Sequence, residues 1–199
     1  MLSLEEGTLL VKTARKAIEA YLCDGKDMKG PEVSRKFLEH RGVFVTLTKQ
    51  GELRGCIGQP IPTMPLIDAL IDSAINAATR DPRFPELELD ELSDVEIEVS
   101  VLTKPDVMKV KHPKEYPGLI VIGRDGLIME CGANVGLLLP QVPVEWNWDA
   151  EEFLSNACLK AGLPPDFWLD RRVRVQKFSA QVFSEREPKG KVEERKLTK

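Results

Sequence analysis

Asp94-Val95-Glu96-Ile97-Glu98-Val99-Ser100-Val101-Leu102 is the most regular alternation in the chain. Successive strand side chains point to opposite faces, so Val95, Ile97, Val99 and Val101 share one face, and Glu96, Glu98 and Ser100 the other. Upstream, Val43-Phe44-Val45-Thr46-Leu47-Thr48 repeats the pattern. Lys49-Gln50-Gly51-Glu52 reads as a hairpin loop. Leu53-Arg54-Gly55-Cys56-Ile57-Gly58 is the next strand, ended by Pro60 and Pro62.

Helices flank these strands. Ser3 and Glu6 form a capping box ahead of Leu10, Ala14, Ala17, Ile18 and Tyr21, and Asp24-Gly25 stops the helix. A second helix starts near Pro65, at its first turn, carries Leu66, Leu70, Ala74, Ile75 and Ala78 on one stripe, and ends at Asp81-Pro82. After Lys104-Pro105 the texture changes. A hairpin is expected from residues 119–122 and 127–130 about Gly123-Arg124-Asp125-Gly126, followed by an apolar run, Leu137-Leu138-Leu139, expected to be buried. Asp149 with Glu152 caps a third helix, with Phe153, Leu154, Ala157, Cys158 and Ala161 inward and Gly162 at its end. A last strand spans about 172–183, and its apolar parity slips between Val175 and Phe178 as at a bulge. Residues 184–199 are charged and read as a mobile tail.

The class is α+β. Strands near both ends suggest one sheet built from distant segments. Residues 1–103 with 171–199 then form a larger subdomain, and 104–170 a smaller inserted one, tethered by two chain crossings and expected to move.

The Leu53–Gly58 segment draws attention for its chemistry. By alternation Leu53 and Ile57 face the core, while Arg54 and Cys56 look out together. Gly55 and Gly58 weaken a strand and let backbone or ligand come close. If the 94–102 strand pairs beside this one, Glu96 or Glu98 meets Arg54 and fixes its guanidinium. The positive charge then lowers the Cys56 thiol pKa. Bland readings stand beside these: an inert thiol, a structural ion pair, and a bulge.

Composition narrows the class. A formal net charge of -4 and a pI of about 5.4 argue against nucleic acid as a partner. The local basic run Arg171, Arg172 and Arg174 reads as a solvated strand edge. No apolar run has membrane-spanning length and no signal-peptide pattern opens the chain, so a cytoplasmic protein without a membrane segment is expected. Cys23, Cys56, Cys131 and Cys158 are widely spaced and only His40 and His112 accompany them, which argues against a disulfide framework and a zinc site. Dinucleotide, P-loop and HExxH signatures are missing, so no metal and no cofactor is indicated.

Leu53-Arg54-Gly55-Cys56-Ile57-Gly58 resembles the hallmark of the AMMECR family, named for a human chromosomal region linked to Alport syndrome, midface hypoplasia and elliptocytosis. Asp81-Pro82-Arg83-Phe84-Pro85, Glu98-Val99-Ser100-Val101-Leu102, Gly123-Arg124-Asp125-Gly126-Leu127, Gly136-Leu137-Leu138-Leu139-Pro140-Gln141-Val142 and Cys158-Leu159-Lys160-Ala161-Gly162-Leu163 are similar to family segments, in order, over residues 8–185. Val135 departs from the family pattern, in which relatives often carry a small polar or basic residue before Gly136. The resemblance implies two unequal subdomains, each with an antiparallel sheet and helices, separated by a cleft that the hallmark faces. It also implies pathway partners, a Memo-like protein and a radical S-adenosylmethionine protein, and for eukaryotic relatives protein–protein interaction.

Several other residues are weighed with the hallmark. Arg83 is a cleft-rim residue or part of a rigid turn. Asn134 lines the cleft or tolerates a left-handed turn. Gln141, flanked by Pro140 and Pro143, is a polar cleft residue on stiff backbone. Trp146 and Trp148 form an aromatic contact surface or pack the inserted lobe. The expected function is binding of a sizeable protein or peptide by Arg54, Gly55, Gly58, Arg83, Glu98, Ser100, Asn134 and Gln141. The alternatives are an enzyme on a small molecule with Cys56 as nucleophile, and an anion-binding regulatory domain using Arg54 and the Gly55–Gly58 amides.

Overall fold

The computed structural model describes residues 1–195. The elements are α1 (Leu4–Asp24), β1 (Val43–Lys49), β2 (Glu52–Gln59), α2 (Leu66–Thr79), β3 (Val95–Leu102), β4 (Asp106–Val107), β5 (Asp125–Cys131), β6 (Asn134–Leu138), α3 (Val142–Glu145), α4 (Ala150–Lys160), β7 (Arg174–Glu185) and β8 (Val192–Arg195), joined by loops and short 3-10 turns. The class is α+β with antiparallel strand pairing. The chain divides into two compact units, Met1–Leu102 with Gln181–Arg195, and Thr103–Ala180. Strand β7 gives residues 174–180 to the second unit and 181–185 to the first.

In the first unit the strand order runs β2-β1-β3, then β7, with β8 on β7. Val43, Val45 and Leu47 of β1 stand opposite Val101, Val99 and Ile97 of β3, and all six are fully buried. Leu10, Ala14 and Ile18 of α1 and Leu66, Leu70 and Ala74 of α2 close over that face in one apolar cluster. Each large apolar side chain so buried contributes about 1.5–3 kcal/mol relative to exposure. Helix α1 begins at the expected capping box, Ser3 N donating to Glu6 Oε2 at 2.7 Å and Glu6 N to Ser3 Oγ at 3.2 Å. Gln50 and Gly51, at φ 55° and 82°, make the tight β1–β2 turn. Pro65 is the N-cap of α2, one place before the first turn expected for it, and its carbonyl accepts from Asp68 and Ala69.

The stretch expected as a mobile tail is built into this unit as far as Arg195. β8 pairs with Val182–Glu185 in register, and Val192 is buried. Buried Glu185 accepts from Arg15 Nε at 2.9 Å and from Ile97 N at 3.0 Å, while Arg15 also donates to the carbonyls of Leu92 and Val95. The rest of that expectation, residues 196–199, lies outside the described residues.

In the second unit β5 is flanked by β6 and β7, and β4 pairs with β7. Leu127, Met129 and Val175 meet Phe153, Leu154, Ala157 and Cys158 of α4, whose capping box at Asp149 and Glu152 forms as expected. Three expectations change here. The hairpin uses β5 and β6; residues 119–124 instead wrap the buried Asp125 carboxylate, which accepts from Val121 N and Arg124 Nε. Leu137, Leu138 and Leu139 are half-buried. β7 has no bulge between Val175 and Phe178, since its register with β5 is continuous there. The parity slips because both faces of β7 are covered: Val175 enters the apolar cluster, while the Phe178 ring covers Gly126, opposite it on β5.

Candidate functional site

The hallmark segment is β2, the outermost strand of the first unit's order. Its register with β1 pairs Val45 with Ile57, Thr46 with Cys56 and Leu47 with Gly55, and then jumps to Thr48 with Leu53. Arg54 is the extra residue of a β-bulge, which reverses facing on either side of it. Gly55 and Ile57 therefore share the helix-covered face with Leu47 and Val45. Leu53, Cys56 and Gly58 share the other face with Thr48, Thr46 and Phe44. This corrects the reading of Leu53 as a core residue; it is 41% exposed. Gly55 has a packing reason: a Cβ there would lie 2.2 Å from the Ala77 carbonyl oxygen of α2. At Gly58 a Cβ would meet the Phe44 ring at 2.4 Å.

Arg54 meets neither Glu96 nor Glu98 in the way the sequence suggested, because β1 separates β2 from β3. Its partner is Glu91, held by Nε to Oε1 at 2.9 Å and Nη2 to Oε2 at 3.0 Å. The same guanidinium donates to the Pro85 and Glu86 carbonyls. Lys49 Nζ adds a second cation 3.1 Å from Glu91. The Arg54 hydrogen bonds, chiefly, hold the Glu91 carboxyl down at about 2. Arg54 is thus a latch fastening segment 85–91 to the bulge. Glu98 lies opposite Thr46 and pairs with Arg195 at 2.6 Å. Ser100 is buried, and its hydroxyl has no partner among the described residues.

Cys56 is half-buried on the outer face, with the Thr46 hydroxyl 3.4 Å from its sulfur. Burial, the largest influence, pushes the thiol pKa up. Thr46 and Arg83 pull against it, while Asp81 and Glu98 add to the rise. The direction is opposite to the one expected from an adjacent Arg54.

The free edge of β2 at Cys56 is covered by side chains. Cys56 N donates to Asp81 Oδ2 at 2.8 Å, and Arg83 Nη2 donates to the Cys56 carbonyl at 3.2 Å. Arg83 also grips Asp81 through Nε at 2.9 Å and Nη2 at 2.7 Å. A carboxylate and a guanidinium two residues apart thereby supply the acceptor and donor that a neighbouring strand would supply. Hydrogen bonding from Arg83 first, and from Cys56 N, holds the Asp81 carboxyl far below the usual carboxylate range, against the effect of burial. In the sequence Asp81 reads as a helix stop and part of a family segment, not as a site residue, and Glu91 does not stand out. The Asp-Pro-Arg spacing carries a signal for the first, and nothing local marks the second.

Antiparallel neighbours alternate between hydrogen-bonded and non-hydrogen-bonded pairs. Cys56 points its backbone groups away from β1, so Gly58, two residues on, does likewise. By that alternation its N–H and C=O point away from β1, and no loop or turn backbone group bonds to them among the described residues.

Of the remaining candidates, Asn134 and Gln141 belong to the second unit. Asn134 Nδ2 donates to the Ala161 carbonyl at 3.1 Å, closing the end of α4. Gln141 Oε1 is buried with no hydrogen-bond partner among the described residues. Trp146 is 68% exposed, with its ring stacked 6.2 Å from that of Trp148. Among the described residues no group of three His, Cys, Asp or Glu side chains could hold a metal ion, and no described helix is long and apolar enough to cross a membrane.

A family model described as AMMECR1 matches residues 11–183. Protein MJ0810 of Methanocaldococcus jannaschii is 56% identical, covering 99% of this chain and 98% of its own. A Methanothermobacter thermautotrophicus protein is 57% identical over 92% of this chain and 96% of its own. The crystal structure of a Pyrococcus horikoshii protein, PH0010, superposes with a TM-score of 0.90 at 49% identity, covering 96% of both chains.

Proposed function

The chain belongs to the AMMECR1 family, and from that premise we propose that it is a polypeptide-recognition module whose contact surface is the edge and outer face of β2. The observation that carries this reading is the state of the edge. β2 ends the strand order; its backbone is covered at Cys56 by Asp81 and Arg83, and it is open at Gly58. An unpaired strand edge is complementary to an extended chain, which can pair backbone to backbone at Gly58. Arg54 contributes by fastening segment 85–91, and Arg83 stands at the rim, half exposed.

Cys56 enters as a contact residue. A nucleophilic thiol needs a lowered pKa or an adjacent base. Burial moves Cys56 the other way, and its sulfur accepts from the Thr46 hydroxyl, which is not a base.

The test is a photo-reactive residue in place of Ile61, which is 63% exposed and three residues on from Gly58, in the native host. Discrete polypeptide adducts are expected, lost in Arg83→Ala while the unfolding midpoint stays within a few degrees of wild type. Adducts that persist unchanged in both Arg83→Ala and Arg54→Ala, or their complete absence, would contradict the reading.

A further inference from the structure

We propose that the open edge of β2 takes the carboxyl terminus of an extended polypeptide, with the terminal carboxylate on Arg83 and the backbone paired to Gly58. The inference rests on the recognition reading above and names its ligand class.

Three observations converge. The first is how little edge is open. On one side of Gly58 the backbone runs into Pro60, which has no N–H to offer. On the other, Asp81 and Arg83 already occupy the hydrogen-bonding position at Cys56. Beyond Cys56 the bulge at Arg54 deflects the strand, and the latch to Glu91, Pro85 and Glu86 sits there. A chain running antiparallel along this edge pairs with Gly58 and then meets Asp81 and Arg83. A continuing chain collides with them; a chain end stops in front of them.

The second is the donor inventory of Arg83. A guanidinium carries five N–H groups. Nε is given to Asp81, and Nη2 is shared between Asp81 and the Cys56 carbonyl. Nη1 has no partner among the described residues, and the side chain is 53% exposed. Asp81, only 2% exposed, fixes the plane of the guanidinium. Nη1 on this fixed cation is left to donate a charge-assisted hydrogen bond to one oxygen of an incoming carboxylate.

The third is spacing. Strand residues rise about 3.4 Å each, so positions 56 and 58 stand about 7 Å apart along the edge. A carboxylate at Arg83 then belongs to the second residue after the one paired with Gly58. An extended tail presents the two groups at that separation.

The shared chemistry is a carboxylate on an extended chain, and a side-chain carboxylate is the other source. Two pools of hexapeptides randomised at every position, one with free carboxyl termini and one C-terminally amidated, are titrated against isotope-labelled full-length protein. The readouts are the Gly58 amide and Arg83 side-chain resonances. The free-acid pool is expected to shift both, and to half-saturate at a concentration about tenfold lower than the amidated pool, the scale of one charge-assisted contact. Arg83→Gln is expected to remove that difference. If both pools shift Gly58 equally, side-chain carboxylates or backbone pairing suffice. The terminus is then refuted, while recognition at the edge stands. If neither pool moves Gly58, both this inference and the edge reading fall.

Discussion

Arg54 and Glu91 form a bidentate pair with about one-eighth and one-fifth of their side chains exposed, so removing one partner strands the other in a partly dry site. Glu91→Gln should destabilise the fold by about 2 kcal/mol near neutral pH, the scale of a charged hydrogen bond lost. Urea denaturation of both proteins checks it. The sign of the pH dependence follows from linkage. The Glu91 pKa is depressed from 4.5 to about 2 in the folded chain. The contribution is therefore present above 4.5 and fades as pH falls toward 2. The gap between wild type and variant should close over that window; a gap that stays constant contradicts the latch. Cys56 makes a separate prediction. With its thiol pKa raised by burial, alkylation of Cys56 in a background lacking the other cysteines should be slower at pH 8 than for a model thiol, and should climb at higher pH. Reaction as fast as a model thiol at pH 7 would return Cys56 to the list of nucleophiles. Neither Glu91 nor the thiol's direction was legible in the sequence. Arg54 lies 37 positions from its partner, and the nearest acidic strand appeared to be its neighbour.

At the level of elements, the alternating strands and both capping boxes could be read directly, because each rests on residues within one turn or one pleat of each other. The bulge in β2 could not. Leu53-Arg54-Gly55-Cys56-Ile57-Gly58 reads as unbroken alternation, and only the position of β1 opposite it shows that one residue is surplus. The slip in β7 had the reverse history: it looked like a bulge, but the register is continuous and both faces are covered. The β5–β6 hairpin was misplaced because Gly123-Arg124-Asp125-Gly126 has turn chemistry, while the buried Asp125 carboxylate, not a strand, organises the residues before it. Gly55 tests the helix–strand contact. Gly55→Ala drives a Cβ against the Ala77 carbonyl oxygen, which is backbone and cannot swing away. A loss of about 2 kcal/mol is expected, typical of overpacking, or a fall of roughly 4–8 °C in midpoint for a chain of this size. An unchanged midpoint would mean that α2 does not pack this closely on β2.

Across the first unit, residues far apart in sequence share one polar centre. Arg15 on α1, the Leu92 and Val95 carbonyls, Ile97 N on β3 and Glu185 on β7 are joined by hydrogen bonds in the interior. Glu185→Gln leaves the Arg15 charge without its counterion, and breaking a buried pair in this way costs about 3–5 kcal/mol. Truncation before Val192 should be costly too, since β8 covers the end of β7; equilibrium unfolding of both variants checks these expectations. The charged composition after Phe183 hid that role, because an ion pair and one valine anchor a segment otherwise poor in apolar residues. All these contacts hold β2 as the outermost strand, offering its backbone at one place. Amide hydrogen exchange of the unliganded protein, resolved by residue, probes this most directly. Gly58 should exchange quickly, while Ile57, paired to β1, and Cys56, bonded to Asp81, are protected. Protection of Gly58 equal to that of Ile57 would mean that the edge is closed, and the recognition surface described for this chain would not exist.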